Sequence, residues 1–444
     1  MIATILIIYV LILFAITYVS TKQLKTPTDF FAAGKNKGVL LITGSLLASV
    51  LGGSAILGSV NLAMTQGWAS VWYLLAASIG FFCLVPVVGK VVQHGKFTLS
   101  DLIGNYYGAS AQRLASVIIP LAWTGIVAAQ MIAAAKILFT LFGLPYDVGV
   151  SLSALVFIVY TVLGGQLSIV KTDFMQAIIM MLGIVVAAVY LLFHHGDAQV
   201  SRIGESFPFN SAFAPLDLLV LLLTFSTTFV VGPDVYSRLF CAQNAQVARR
   251  SVLLSAILLV PFAFVLTYLG VFASENLSPD QLHSVALIEV IVAYLPSWVV
   301  GIMAAALLSA VLSSADTTLL TASMMLSELA NPNIDNKSSK EMTRLFVAMI
   351  GLLSMVIALF ATSIINTLLL ALTFYSGAFI VPIVLALWNV RVNKSHATTA
   401  MLVGGLLALS GKLLATYFEL PIGNYILIAA FVVNFVVLKI NSRS

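Results

Sequence analysis

The chain has 444 residues, 61% hydrophobic and only 8% charged, with a net charge of +5. A soluble domain carries about 25% charged residues, so this composition excludes a water-soluble enzyme, a disordered chain and a nucleic-acid binder. It describes an all-α polytopic membrane protein with the lipid bilayer as its main partner.

Thirteen hydrophobic segments follow one another: 2–20, 38–66, 69–92, 112–142, 146–163, 172–194, 214–233, 248–273, 288–329, 342–362, 365–389, 397–417 and 422–440. The first has no basic flank or small-residue cleavage site before it and is read as a retained span. The stretch 288–329 is too long for one span and should hold a short outer helix before a crossing near 297–329. All five histidines are expected in loops, and Cys83 and Cys241 as buried small apolar side chains. No metal-ligand spacing of His and Cys is present.

Charge placement gives the orientation. With the N-terminus outside, alternate loops and the C-terminal tail hold eighteen of the 21 lysines and arginines, among them Lys22, Lys96, Arg238, Arg249, Arg250 and Arg443. Only Arg202 falls in an outer loop, while Lys136 and Lys412 sit near outer helix ends and can snorkel. That bias predicts an inner cell membrane protein with its N-terminus outside and its C-terminus inside.

Spans two to six (38–194) and seven to eleven (214–389) form two groups of five. Five is odd, so the second group enters the membrane inverted, as in the inverted repeats of secondary transporters. Segment 2–20 precedes them and two helices at 397–440 follow. The first span of each group is interrupted. One reads GSLLASVLGGSAILGSV, with Gly52 and Gly53 near its middle; the other reads LLTFSTTFVVGPDVY, closed by Gly232 and Pro233. Paired interruptions point to a midplane binding site, although small and hydroxylated residues also permit close helix packing.

Segment 301–326, GIMAAALLSAVLSSADTTLLTASMML, gathers Ser309, Ser313, Ser314, Asp316, Thr317, Thr318 and Thr321 in one helix interior. Hydroxyls four residues apart share a face, and hard cations take oxygen ligands. An aspartate inside a span is costly and marks function.

Three patches carry a family resemblance over essentially the whole chain: AVLSSADTTLLTAS at 310–323, GGQLSIVKTDFMQ at 164–176 and YSRLFCAQNAQVARRS at 236–251. The sequence resembles the sodium:solute symporter family, relatives of the proline, pantothenate and sugar symporters. The resemblance implies a leucine-transporter-like 5+5 inverted repeat, with one extra N-terminal and two extra C-terminal helices. It implies no enzyme and no organic cofactor, but sodium as coupling ion for symport of a small solute by alternating access. Carried over, the sodium ligands are the carbonyls of Ala48, Leu51 and Ala310 and the hydroxyls of Ser313 and Ser314. Asp173, near the ion exit path, could share a second cation or a proton with Asp316 and Thr317. That would give a proton-coupled alternative; Asp173 as a helix N-terminal carboxylate is the competing reading. The arginine-rich stretch 236–250 reads first as a cytoplasmic anchor.

The fold position of these segments gives the substrate candidates Gly52, Gly53, Ser54, Trp72, Trp123, Gln130, Phe225, Ser226, Thr227 and Tyr375, with Trp68, Thr124 and Thr228 beside them and Tyr375 as an outer gate. Lys136 could contact an anionic solute. The SSAD phrase resembles choline-transporter relatives, but Val50 and Leu51 stand where an aromatic could cage a quaternary ammonium. No counter-charge for the solute is apparent at the midplane.

Overall fold

In the computed structural model the described residues are 2–95, 97–195, 203–277, 285–331, 337–361 and 363–440. Lys96, Arg202, His283 and Arg443 lie outside them. The described residues are helical, with no strand beyond two isolated bridges.

Helix α1 (Ile2–Lys22) stands on the lipid-facing periphery, with Ile7, Leu11 and Phe14 exposed. A short α2 (Pro27–Ala32), opened by a Thr26–Asp29 capping box, leads to the first broken pair, α3 (Val39–Val50) and α4 (Gly53–Gln66). The chain continues through α5 (Val71–Leu84), α6 (Val88–His94) and α7 (Leu99–Tyr107). Three long helices follow: α8 (Ala109–Phe142), α9 (Tyr146–Gly164) and α10 (Gln166–His195). The second broken element comprises α11 (Pro215–Leu221), a π-helical turn at Leu222–Ser226, α12 (Thr227–Val231) and α13 (Pro233–Leu239). Then come α14 (Ala245–Asn276), α15 (Ala286–Tyr294) and α16 (Ser297–Ala330). The last four are α17 (Lys337–Phe360), α18 (Ile364–Leu387), α19 (Ala397–Tyr417) and α20 (Ile422–Lys439).

Among the described residues, twelve helices are long and apolar enough to cross a membrane. The thirteen expected segments become twelve at the first break. There α3 is apolar but short, and α4 runs on through Gly67–Ser70 into α5 as one apolar stretch, Gly53–Leu84. The long stretch near 288–329 divides as expected, with α15 separated from α16 at Leu295 and Pro296.

Helix α16 is the centre of the molecule. Its buried residues run almost unbroken from Val299 to Glu328. It packs on α8, α10, α17 and α1, and touches both halves of the first broken helix. A helix buried all round needs small or hydroxylated side chains where neighbours approach most closely, and α16 carries alanines and serines there. At the other extreme, α19 and α20 pack chiefly on each other and on α18.

Several local expectations change. Helix α10 begins at Gln166, seven residues before Asp173, so Asp173 is not a first-turn carboxylate. Cys83 is exposed on the outer face of α5, while Cys241 is buried. His194 and His195 close α10 instead of lying in a loop.

Candidate functional site

The first break lies at Leu51 and Gly52. Helix α3 stops where Leu51 adopts φ −83°, ψ 40°, and Gly52 is extended before α4 restarts. A break leaves carbonyls at the end of α3 without helical partners. The two glycines are there because α16 comes too close for a side chain. A Cβ on Gly52 would meet Ser314 Oγ at 2.3 Å, and one on Gly53 would meet Val311 Cγ2 at 2.2 Å.

Oxygens converge across this contact. Ser313 Oγ lies 3.1 Å from the Ala48 carbonyl and 3.2 Å from that of Ala310. Ser314 Oγ lies 3.5 Å from Ala48 O and 3.3 Å from Ser49 O. Four of the five expected sodium ligands thus meet at one point. Leu51 is fully buried beside them at the break, its N–H bonded to Leu47 O at 2.8 Å.

The other half of the break is held by Gln130 of α8. Its Oε1 accepts from Ser54 N at 3.2 Å and its Nε2 donates to Ser54 Oγ at 2.7 Å. Gln130 is buried, and it fixes the start of α4 at a cost of only one polar side chain.

One turn further along α16 lies a buried charged cluster. Arg238 Nη2 donates to Asp173 Oδ2 at 2.8 Å, with both side chains fully buried. Arg238 Nε donates to Ser45 Oγ at 3.1 Å, Nη1 donates to Ser237 Oγ at 3.1 Å, and Thr317 Oγ1 is a further partner of Nη2. Ser45 Oγ in turn donates to Asp173 Oδ2 at 2.6 Å. Thr317 Oγ1 donates to Ser313 O at 2.9 Å and lies 3.3 Å from Asp316 Oδ1. Asp173, Asp316 and Thr317 therefore do lie together, adjoining the Ser313 oxygen set. Two acceptor atoms in the cluster, Asp173 Oδ1 and Asp316 Oδ2, are buried without a hydrogen-bond partner. The anchor reading of 236–250 is corrected for Arg238: it is an internal ion-pair partner, whereas Arg249 and Arg250 are exposed.

A chamber of about 80 Å³ opens beside the two breaks. Of the expected solute contacts it is lined by Gly52, Ser54, Trp123, Gln130 and Phe225, together with Thr228. The remaining candidates fall elsewhere. Gly53 is packed on Val311. Trp72 stacks on Phe207 and donates to Pro208 O at 3.0 Å, under a loop that also caps Trp68 through Ser206. Ser226 is buried with its carbonyl against Gly80, and Thr227 Oγ1 donates to Leu223 O at 2.5 Å. Tyr375 is fully buried behind the chamber, in edge contact with Trp123 and donating to Val231 O. Thr124 donates to Leu121 O, and Lys136 is not among the lining residues.

Asp234, outside the candidate residues singled out in the sequence, also lines the chamber. Its Oδ1 accepts from Trp123 Nε1 at 2.9 Å, and Thr318 Oγ1, which donates to Ser314 O, lies 3.5 Å from Oδ2. The signal was present in the second interruption, GPDVY, where Asp234 directly follows the break.

On one side the two broken elements are strapped together. Lys37, just before α3, forms a parallel bridge with Ala242, just after α13: Lys37 N donates to Cys241 O at 3.0 Å and Gln243 N donates to Lys37 O at 3.1 Å. Burial of Cys241 beside this strap pushes its thiol up to about 12.

Comparison with known proteins adds the following. The sequence pattern of the sodium:solute symporter family matches residues 30–404. The chain is 24% identical to the sodium/pantothenate symporter of Escherichia coli, over 90% of this chain and 88% of that one. It is 25% identical to the sodium/proline symporter of Haemophilus influenzae, over 92% and 87%. In structure it resembles a Na+-coupled sialic acid symporter in a substrate-bound outward-open state, at TM-score 0.83 and 18% identity, covering 100% of this chain and 97% of that one. It also resembles Mhp1, a nucleobase-cation-symport-1 family transporter, at TM-score 0.64 and 13% identity, covering 93% and 94%. The fold is that of the leucine-transporter-like transporters. The chain belongs to the sodium:solute symporter family.

Proposed function

We propose that the protein couples sodium entry to uptake of a small organic solute by alternating access, using the Ala48, Leu51, Ala310, Ser313 and Ser314 oxygens as the ion site. The observation that carries this reading is the convergence of the Ala48 and Ala310 carbonyls with the Ser313 and Ser314 hydroxyls, at separations of 3.1–3.5 Å. Ligands at right angles around a hard cation with oxygen distances of about 2.3–2.6 Å stand about 3.3–3.7 Å apart, so small shifts suffice to admit one. All these ligands are neutral, which suits a monovalent ion that must also leave. Because they come from both α3 and α16, an ion between them would draw the two helices together. Sodium and solute would then raise each other's affinity by the same factor.

In this reading the N-terminus is outside, 38–194 and 214–389 are the two inverted repeats, and the strap between Lys37 and Ala242 closes the inner side. The Asp173–Arg238 pair thickens that inner closure. The unpartnered oxygens of Asp173 and Asp316 support a second reading, in which these aspartates with Thr317 take a second cation or a proton. Binding of ²²Na⁺ to the purified protein at pH 6 and pH 8 separates the two. Saturable binding that resists potassium, persists at both pH values and disappears in Ser313→Ala supports the sodium reading. Binding absent at both pH values would replace it with proton coupling.

A further inference from the structure

We propose that Asp234 makes the central chamber a site for solutes that carry a cationic nitrogen. The inference rests on the transport reading above and extends it to substrate class.

Among the described residues, Asp234 is the one ionisable side chain lining the chamber, with no lysine, arginine or histidine beside it there. A carboxylate offers about four acceptor positions. Asp234 has one firm donor, the Trp123 indole N–H at 2.9 Å; the Thr318 hydroxyl lies 3.5 Å from Oδ2 and directs its single proton to Ser314 O at 2.5 Å. Both neighbours are neutral. A carboxylate in a confined, largely apolar chamber is costly unless a cation or several donors meet it.

Arg238, one turn beyond Asp234 on α13, attracts it through space but makes no hydrogen bond to it, because its donors go to Asp173, Ser45, Ser237 and Thr317. That leaves acceptor positions on the Asp234 carboxylate for whatever enters the chamber.

The surrounding surface suits a cation. Trp123, Phe225 and Phe229 present aromatic rings to the same space, and the last two stand edge to face with centroids 5.0 Å apart. Aromatic faces attract ammonium groups, most strongly where water is excluded. Val50 and Leu51 are aliphatic, and the rings come from α8 and the second broken element instead. An anionic solute would face a carboxylate with no basic side chain among the described lining residues to offset it. A neutral one would leave that carboxylate as poorly matched as it is now.

The test is a charge series at constant shape, read as thermal unfolding of the detergent-purified full chain in saturating sodium. One set is choline, its neutral isostere 3,3-dimethylbutan-1-ol and 3,3-dimethylbutanoate. Two further sets start from a primary alkylamine and an alkylguanidinium, each with its neutral and carboxylate counterparts. The proposal expects at least one cation to raise the melting temperature while its counterparts do not. It expects Asp234→Asn to weaken that binding about thirtyfold or more while keeping the sodium response, and Asp234→Glu to retain part of the binding. Stabilisation by a neutral or anionic member equal to its cation, or by no cation in any set, overturns it. So does a cation response undiminished in Asp234→Asn. The wild-type series alone decides the matter if the asparagine variant does not fold. Loss of the sodium response in the wild type would instead count against the symport reading.

Discussion

Arg238 and Asp173, 65 residues apart in sequence, meet at 2.8 Å with no solvent exposure on either side chain. The pair joins the second broken element to α10, and through Ser45 to the first. Charge burial of this kind is tolerated only when each partner is supplied by the other.

The first prediction follows from that dependence. Arg238→Ala leaves Asp173 buried without its cation and should destabilise the protein by about 3–5 kcal/mol. Adding Asp173→Asn should restore part of the loss, because the uncompensated charge goes. Denaturant unfolding of the single and double variants measures both. A double variant no more stable than Arg238→Ala would show that the pair does not act as a unit.

A second prediction concerns the glycine contact. Gly53→Ala drives a Cβ into Val311 and should cost about 1–3 kcal/mol through overpacking. Val311→Ala opens space at that point, so the double variant should recover sodium-dependent stabilisation that the single variant loses. Gly52→Ala should show no such rescue, because its added atom strikes Ser314 within the oxygen set itself.

The strap between Lys37 and Ala242 gives a third. With burial holding the Cys241 thiol up near 12, almost no thiolate exists at pH 7–8, and the side chain is also screened from reagent. In a Cys83→Ala background, maleimide labelling of Cys241 should be slow in sodium and faster in Arg238→Ala, which loosens the packing beside the strap. Raising the pH from 7 to 9 should leave the folded protein poorly labelled, since both values lie below the shifted pKa. Fast labelling of the wild type in sodium would mean that the strap is open in solution.

Tyr375 supplies a fourth. Its hydroxyl donates to Val231 O, at the end of α12 just before the second break, and its ring meets Trp123. Tyr375→Phe keeps the ring contact and deprives a buried carbonyl of its donor, so it should cost about 1–2 kcal/mol. It should leave sodium-specific stabilisation intact, because Tyr375 touches none of the four converged oxygens.

Much of the architecture was legible from residues alone. The Gly52–Gly53 and Gly232–Pro233 interruptions announced both breaks, because glycine and proline end helices for reasons internal to the chain. The hydroxyls of 309–321 announced the central helix, because oxygens are too costly inside a span to be incidental in such number. Pairings across the fold were not legible. Arg238 looked like one more basic loop residue until α10 brought Asp173 to it. Asp234 looked like an ordinary acid after Gly-Pro until Trp123, from a helix more than a hundred positions away, turned out to face it. Trp72 was illegible for the converse reason: only the folded loop at 206–208 shows what its ring and N–H are occupied with.

The most direct test of the ion site is thermal unfolding in sodium against potassium at matched ionic strength, for the wild type and Ser313→Ala. A ligand that binds only the folded protein raises its stability by mass action. The account predicts a sodium-specific rise in melting temperature that Ser313→Ala abolishes while still folding. Equal stability of the wild type in the two salts, or a sodium response unchanged in Ser313→Ala, would contradict it.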